Sequence, residues 1–387
     1  MLRKKVCILK HRLNQSGGLE KSTYAIAHGF VSKGCSVVIL TSDKPDLTSI
    51  HIKHITFHRL HLKSSLGFFR IREFDKKAQK YLENHHFDIV FGMDRNKRQS
   101  HLRLGNGIHK VFLQRRLPIE SWLKRLSFYI NPLHRLLLQF EKQALENSSL
   151  KCLFTNSAMV KQELLNHYKT AASLIYVVHN GVEWQAMDKD FHSWIEKKPK
   201  IANELGLNPL EFHFLFIGHG FKRKGLELLL QALSHLTQEQ FHLSVIGKEK
   251  NYRYFRQLTH DLNLEDKVTF FQERSDVRKF YQLADALIVP SLYDPFANVT
   301  VEALAMGLFV LTSRYNGGKE VLQDFSGKVL DDIFDPKKFA DVIKETIASN
   351  KKTWAKSIKI RESVKHLDFS LQTATLVDIS LNHCNHA

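Results

Sequence analysis

The sequence predicts an α/β protein of two tandem, Rossmann-like doubly wound domains, and three observations carry that prediction. Short apolar runs alternate with helical patterns along most of the 387 residues, as they do where helices flank a parallel sheet. The alternation breaks over residues 187–209 and then resumes. The chain is also long enough, at 43% hydrophobic residues, to bury more than one core.

In the first half, the expected strands are Val6–Leu9, Val37–Leu40, Asp88–Phe91, Lys151–Thr155 and Ile175–Val178. A helix over Leu19–Lys33 fits between the first two, with Gly34 as its cap. Ile50, Ile52, Ile55 and Phe57 pattern as a further strand. That spacing scatters His51, His54, His58 and His61 over both faces, which argues against a metal cluster. The lysine-rich stretch with Pro199 and Pro209 reads as a linker. The second series is Phe212–Ile217, Phe241–Ile246, Val268–Phe271, Ala286–Val289 and Phe309–Thr312. The expected organisation is therefore a first domain over 1–186, a linker over 187–209 and a second domain over 210–365. A helical tail over 366–387 would be free to pack back on the first domain. Ligands of such sheets bind at the carboxyl ends of the strands, so two domains facing across a cleft would present their loops to it.

The charge is lopsided, with 57 Lys and Arg against 39 Asp and Glu. An excess of +18 predicts an anionic partner, whether nucleic acid, an anionic membrane surface or a phosphorylated small molecule. No nucleic-acid motif supports the first of these. The four cysteines form no CxxC pair and no zinc spacing, so buried thiols in a reducing compartment are expected. No uncharged apolar run reaches the roughly 18 residues of a membrane span, and the N-terminal apolar run is too short for a secretory signal. The densest basic block, Phe91–Arg135, holds ten cations and two acids together with Trp122, Phe128, Tyr129 and Ile130. Its expected helices, Glu120–Ile130 and Pro132–Leu145, suit an anionic membrane face, or else a basic face packed on its own core.

Three stretches carry chemistry. Gly17 and Gly18 follow the first strand and open a helix, where a backbone can approach an anion; a plain tight turn reads equally well. Gly218-His-Gly-Phe-Lys-Arg-Lys-Gly225 follows the first strand of the second domain. Arg223 and Lys224 there, on a strand-to-helix turn, suit a diphosphate, with a solvated basic loop as the alternative. Asp294-Pro-Phe-Ala-Asn298 then precedes an expected helix over Val299–Met306. Its first amides, at Asn298, Val299 and Thr300, would favour phosphate, Glu302 could reach a ribose diol and Asp294 sugar hydroxyls. Ordinary helix capping also accounts for two such acids.

In this form the stretch Asp294–Gly307 resembles the Glu-x7-Glu motif of the retaining glycosyltransferases of family 4, which have the glycosyltransferase B fold. Gly17-Gly18, His179-Asn-Gly-Val182 and Arg223-Lys-Gly225 are similar to other landmarks of that family, in order. Arg103-Leu-Gly-Asn-Gly-Ile-His109 with Arg115-Arg116 resembles a narrower group that includes lipopolysaccharide core glucosyltransferases. The resemblance implies a nucleotide diphosphate sugar donor, expected to be UDP-linked, an anionic glycolipid or lipopolysaccharide core acceptor, and no metal or other cofactor. With the charge of +18 and the block Phe91–Arg135 falling in the domain that the resemblance assigns to the acceptor, a peripheral protein on the cytoplasmic face of the inner membrane is expected. The resemblance also places His109 near the reacting sugar and gives the acceptor's proton to the leaving phosphate. Two departures stand out. Asp294 replaces the first glutamate and is shorter by one methylene, about 1.5 Å, and Ala297 replaces the usual glycine. A nucleotide-sugar 2-epimerase of the same fold and a basic nucleic-acid-binding protein are the alternative readings.

Overall fold

A computed structural model describes residues 3–13, 18–44 and 54–384. Two compact units divide the chain. Unit 1 is Met1–His179 with Ser370–Ala387, and unit 2 is Asn180–Phe369.

Unit 1 holds a seven-stranded parallel sheet, from β1 (Lys5–Leu9), β2 (Ser36–Thr41), β3 (Ile55–Arg59), β4 (Ile89–Gly92), β5 (His101–Leu104), β6 (Cys152–Thr155) and β7 (Ile175–Val177). The spatial order is β3-β2-β1-β4-β5-β6-β7, so the winding reverses between β1 and β4. The register there pairs Val6 with Val37 on one side and with Ile89 on the other. Val6, Ile8, Val37, Ile39, Ile89 and Phe91 are fully buried or nearly so, which is why these runs read as continuous apolar strands.

Unit 2 holds six parallel strands, β8 (Phe212–Ile217), β9 (Phe241–Ile246), β10 (Val268–Gln272), β11 (Ala286–Val289), β12 (Phe309–Ser313) and β13 (Gly327–Leu330). Their order is β10-β9-β8-β11-β12-β13, with the reversal between β8 and β11. The fold class is the one expected from sequence.

Two boundaries differ from expectation. Residues 187–209 are not a linker, because the helices Asp188–His192 and Trp194–Glu204 lie within unit 2 and bury Phe191, Trp194, Ile201 and Ala202. Lysine richness misleads here. Lys198 is itself buried, neutralised by Asp285 at 2.7 Å. The tail also divides later than expected. Residues 366–369 stay with unit 2, and the helix Phe369–Asn382 sends Leu376 and Val377 into the core of unit 1.

Candidate active site

β8 and β11 are neighbours at the reversal of unit 2, so the loops that follow them emerge side by side. This is where open α/β sheets hold ligands. The loop after β8 runs into a single helical turn, Phe221–Lys224, and is broken by Gly225 at φ +80°. A Cβ at Gly225 would lie 2.0 Å from the Pro290 carbonyl oxygen, so only glycine lets the two loops pack this closely. The turn therefore delivers Arg223 and Lys224 to the loop after β11.

Lys224 is buried, and its Nζ donates to Asp294 Oδ2 at 2.5 Å. Arg223 Nη1 lies 3.7 Å from the same oxygen and donates to the Tyr293 carbonyl at 3.4 Å. Asp294 is only 7% exposed, and its Oδ1 accepts from the Phe296 amide at 3.3 Å. The short carboxylate is thus turned toward the two cations. The two cations thus share one carboxylate oxygen.

The helix Asn298–Ala305 begins four residues beyond Asp294. Asn298 Oδ1 accepts from Asn180 Nδ2 at 2.8 Å, Val299 is partly buried, and the Thr300 hydroxyl accepts from Asn316 Nδ2 at 3.3 Å. One turn in, Glu302 accepts a 2.7 Å hydrogen bond from the Tyr281 hydroxyl. Tyr281 is buried, and burial together with the Glu302 charge pushes its phenol well above the usual range. That phenol stays protonated and remains a donor to Glu302.

Two of these partners escaped sequence reasoning. Asn316 is fully buried with its amide saturated: Oδ1 accepts from the Ala297 and Gly318 amides, each at 3.0 Å, while Nδ2 donates to Thr312 and Thr300. It ties the Asp294–Ala297 loop to the end of β12. The Asn-Gly-Gly run at 316–318 is the signal that marks such a turn. Tyr281 carries no such signal, being one apolar-looking residue in a short helix.

The remaining predicted residues belong to unit 1. Gly17 lies outside the described residues, and Gly18 is the exposed first residue of the helix Gly18–Ser32. His109 opens the helix His109–Arg116 after β5. The buried Glu141 holds that helix start, accepting from the amides of His109 at 2.6 Å and Lys110 at 3.1 Å, and from Tyr168 Oη at 2.6 Å. His109 Nε2 lies 3.0 Å from His134 Nδ1. Burial pushes the His109 imidazole down to about 4, with Arg95 and His134 acting in the same sense against Glu141. At neutral pH it is an uncharged hydrogen-bonding ring. No group of three or more His, Cys, Asp or Glu residues suited to a metal ion occurs among the described residues. His51 lies outside them, His54 meets Arg3 at 2.8 Å and His58 packs on Tyr81.

Comparison with known proteins bears on the family and the fold. A family model described as Glycosyltransferase Family 4 matches residues 16–185. A second, described as Glycosyl transferases group 1, matches residues 197–362. The lipopolysaccharide glucosyltransferase WaaG of Escherichia coli is 23% identical over 354 residues, covering 89% of this chain and 90% of that protein. The uncharacterized glycosyltransferase MJ1607 of Methanocaldococcus jannaschii is 29% identical over 174 residues, and there the match spans 44% of each chain, less than half of that relative's length. Among solved structures, a crystal structure of WaaG superposes with a TM-score of 0.77 at 22% identity, covering 97% of this chain and 99% of that one. A crystal structure of Anabaena HepE in complex with UDP and glucose gives 0.69 at 16% identity, covering 98% and 100%. These two likenesses bear on the fold.

Proposed function

We propose that this chain, which belongs to glycosyltransferase family 4 and has its two-domain glycosyltransferase B fold, moves a hexose with retention from a UDP-sugar to a glycolipid or lipopolysaccharide core acceptor. The observation that carries the reading is the convergence of Lys224 and Arg223 on one carboxylate at the β8/β11 reversal, beside the start of the helix Asn298–Ala305. In this reading the donor diphosphate takes the place of Asp294 as counter-charge. Arg223 and Lys224 stabilise the negative charge that grows on the leaving group, which is what a metal ion would otherwise do. The amides near Asn298, Val299 and Thr300 add to that field. Tyr281 orients the Glu302 carboxylate, which in this reading accepts from a ribose diol. By the family resemblance alone, Gly17 and Gly18 are assigned to the donor phosphates. His109, uncharged, offers a hydrogen bond to the sugar, and the departing phosphate takes the acceptor's proton.

The test is binding and transfer measured together. UDP-hexoses should raise the melting temperature, and transfer should require an acceptor. Asp294→Asn separates the roles. It removes the competitor for Lys224, so UDP should bind at least as tightly as before. Turnover should fall at least tenfold, about 1.4 kcal/mol of barrier. If UDP binding and turnover decline in parallel, Asp294 serves only to hold Lys224 in place.

The same reading places the protein on the cytoplasmic face of an anionic membrane. The helix Trp122–Ile130 supports it, because Trp122, Leu123, Leu126, Tyr129 and Ile130 are all at least half exposed. Lys124 and Arg125 lie exposed on the same helix, with Arg115 nearby in sequence. Arg116 is different, since it pairs with Glu120 and lies over the Phe112 and Phe128 rings. Each Lys or Arg near an anionic surface contributes about 1 kcal/mol. The triple variant Arg115→Ser/Lys124→Ser/Arg125→Ser should therefore bind anionic liposomes about 100-fold more weakly in sedimentation assays. Indifference to lipid charge, or an unchanged triple variant, would favour a soluble acceptor.

A further inference from the structure

The winding of unit 1 also reverses, between β1 and β4, and the loops after those strands meet as the loops after β8 and β11 do. The His11 amide donates to Asp94 Oδ2 at 2.7 Å. Ser42, just beyond β2, donates through its amide and hydroxyl to the His11 carbonyl at 3.0 and 2.7 Å. The helix Gly67–Glu83 covers this edge, with the Phe74 ring 5.0 Å from the His11 ring. Arg70 stands one turn before Phe74 on the same helix face, and so beside His11.

The polar accounting at this edge does not close. His11 Nε2 and Arg70 Nε are both buried without a hydrogen-bond partner. Native proteins leave few buried polar atoms unpaired, and each calls for a reason. The acids nearby are engaged: Asp94 by the His11 amide and by Lys10 at 3.4 Å, Asp43 by the Leu13 amide at 2.8 Å. The side chains of Arg70 and the exposed Arg12 make no hydrogen bond or ion pair among the described residues. Both cations act on the His11 ring, which burial and these neighbours keep uncharged against Asp94 and Asp43.

We infer that this edge of unit 1 is a second anion site, in which Arg70, Arg12 and His11 receive a phosphoryl group. Two guanidinium charges balance a phosphate dianion, whereas a carboxylate would leave one unmatched. Arginine can take two phosphate oxygens at once, and the imidazole supplies a neutral donor at close range. The inference rests on the glycosyltransferase reading in one respect only: that reading makes the phosphoryl group part of the acceptor, a phosphorylated sugar rather than a neutral one.

The test uses the full chain saturated with UDP, so that the Arg223/Lys224 site is occupied, and titrates inorganic phosphate calorimetrically at constant ionic strength. Phosphate should bind with a dissociation constant of about 1 mM, near 4 kcal/mol by the standard conversion. Arg70→Gln should weaken it at least tenfold and Arg12→Gln severalfold. Arg70→Lys, which keeps the charge and loses the fork, should fall between. Arg98→Gln, at an exposed arginine 3.9 Å from Glu83, should change nothing. Acetate at equal concentration should not compete. Phosphate binding that UDP abolishes, that ignores Arg70→Gln, or that acetate displaces equally would overturn the proposal. Failure of UDP itself to bind would count against the glycosyltransferase reading, and the comparison of Arg70→Gln with Arg98→Gln would then decide the phosphate site.

Discussion

Arg223→Ala and Lys224→Ala are each expected to remove most sugar transfer, lowering turnover by about 10²–10³-fold, the usual cost of deleting one preorganised group that stabilises developing negative charge. The two substitutions should part company in stability. The Arg223 side chain is 36% exposed, and its loss leaves Asp294 still paired with Lys224. Lys224 is buried, so Lys224→Ala strands the Asp294 carboxylate in a site 7% exposed, with Arg223 3.7 Å away as its remaining cation. Truncating one partner of a buried charge pair costs about 2–5 kcal/mol. Lys224→Ala should therefore melt lower than Arg223→Ala, and adding Asp294→Ala should restore stability without restoring activity. A Lys224→Ala protein with near-normal transfer would show that the diphosphate is held elsewhere.

The largest effect on stability is expected at Asp285, which begins β11's approach to the same site. This buried carboxylate accepts from Lys198 Nζ at 2.7 Å and from the amides of His213 at 2.9 Å and Lys352 at 3.0 Å, with Lys351 Nζ at 3.4 Å. Asp285→Asn leaves Lys198 buried without its counter-charge, at a cost of about 3–5 kcal/mol. Burial pushes the Asp285 carboxyl up, but Lys198, Lys351 and the His213 amide outweigh it, so the folded value lies below the ordinary 3.8. The unfolded chain thus binds this proton more readily than the folded one. The stabilisation is present above about pH 4, where both forms are ionised, and is lost as the pH falls through the folded value. Denaturant melts should show a wide gap between wild type and Asp285→Asn at pH 7 that narrows toward pH 3. A difference below about 1 kcal/mol at pH 7 would mean that the lysines find other partners.

The site was legible where chemistry is local and illegible where it depends on contacts distant in sequence. The runs Phe212–Ile217, Phe241–Ile246 and Ala286–Val289 are central strands buried on both faces, so hydrophobicity alone sets their ends. β5, with the sequence His-Leu-Arg-Leu, gave no such signal although all four residues are buried. His101 is satisfied by Ser100 Oγ and by the Ser380 carbonyl, a partner 279 residues away. The helix Trp194–Glu204 was misread for the same reason, since Asp285 neutralises Lys198 from 87 residues on. Arg223, Lys224, Asp294 and Glu302 could be named because short motifs bring them out. Tyr281 and Asn316, which fix Glu302 and the Asp294 loop, become visible only when β11, β12 and the loops after them are side by side.

Unit 1 is built from two separated stretches of chain, with all of unit 2 between them. Leu376 and Val377 are fully buried in its core, and Val377 lies so close to Gly29 that a Cβ there would stand 2.9 Å from its methyl group. During synthesis, the amino-terminal stretch therefore waits for its last helix while about 190 residues of unit 2 are made, roughly 10–40 s at ribosomal speed. Unit 2 is continuous and has its whole core available as soon as it emerges. The half of the protein translated first is thus the half completed last, and until then the groove awaiting the helix Phe369–Asn382 is the apolar surface that a chaperone would have to shield.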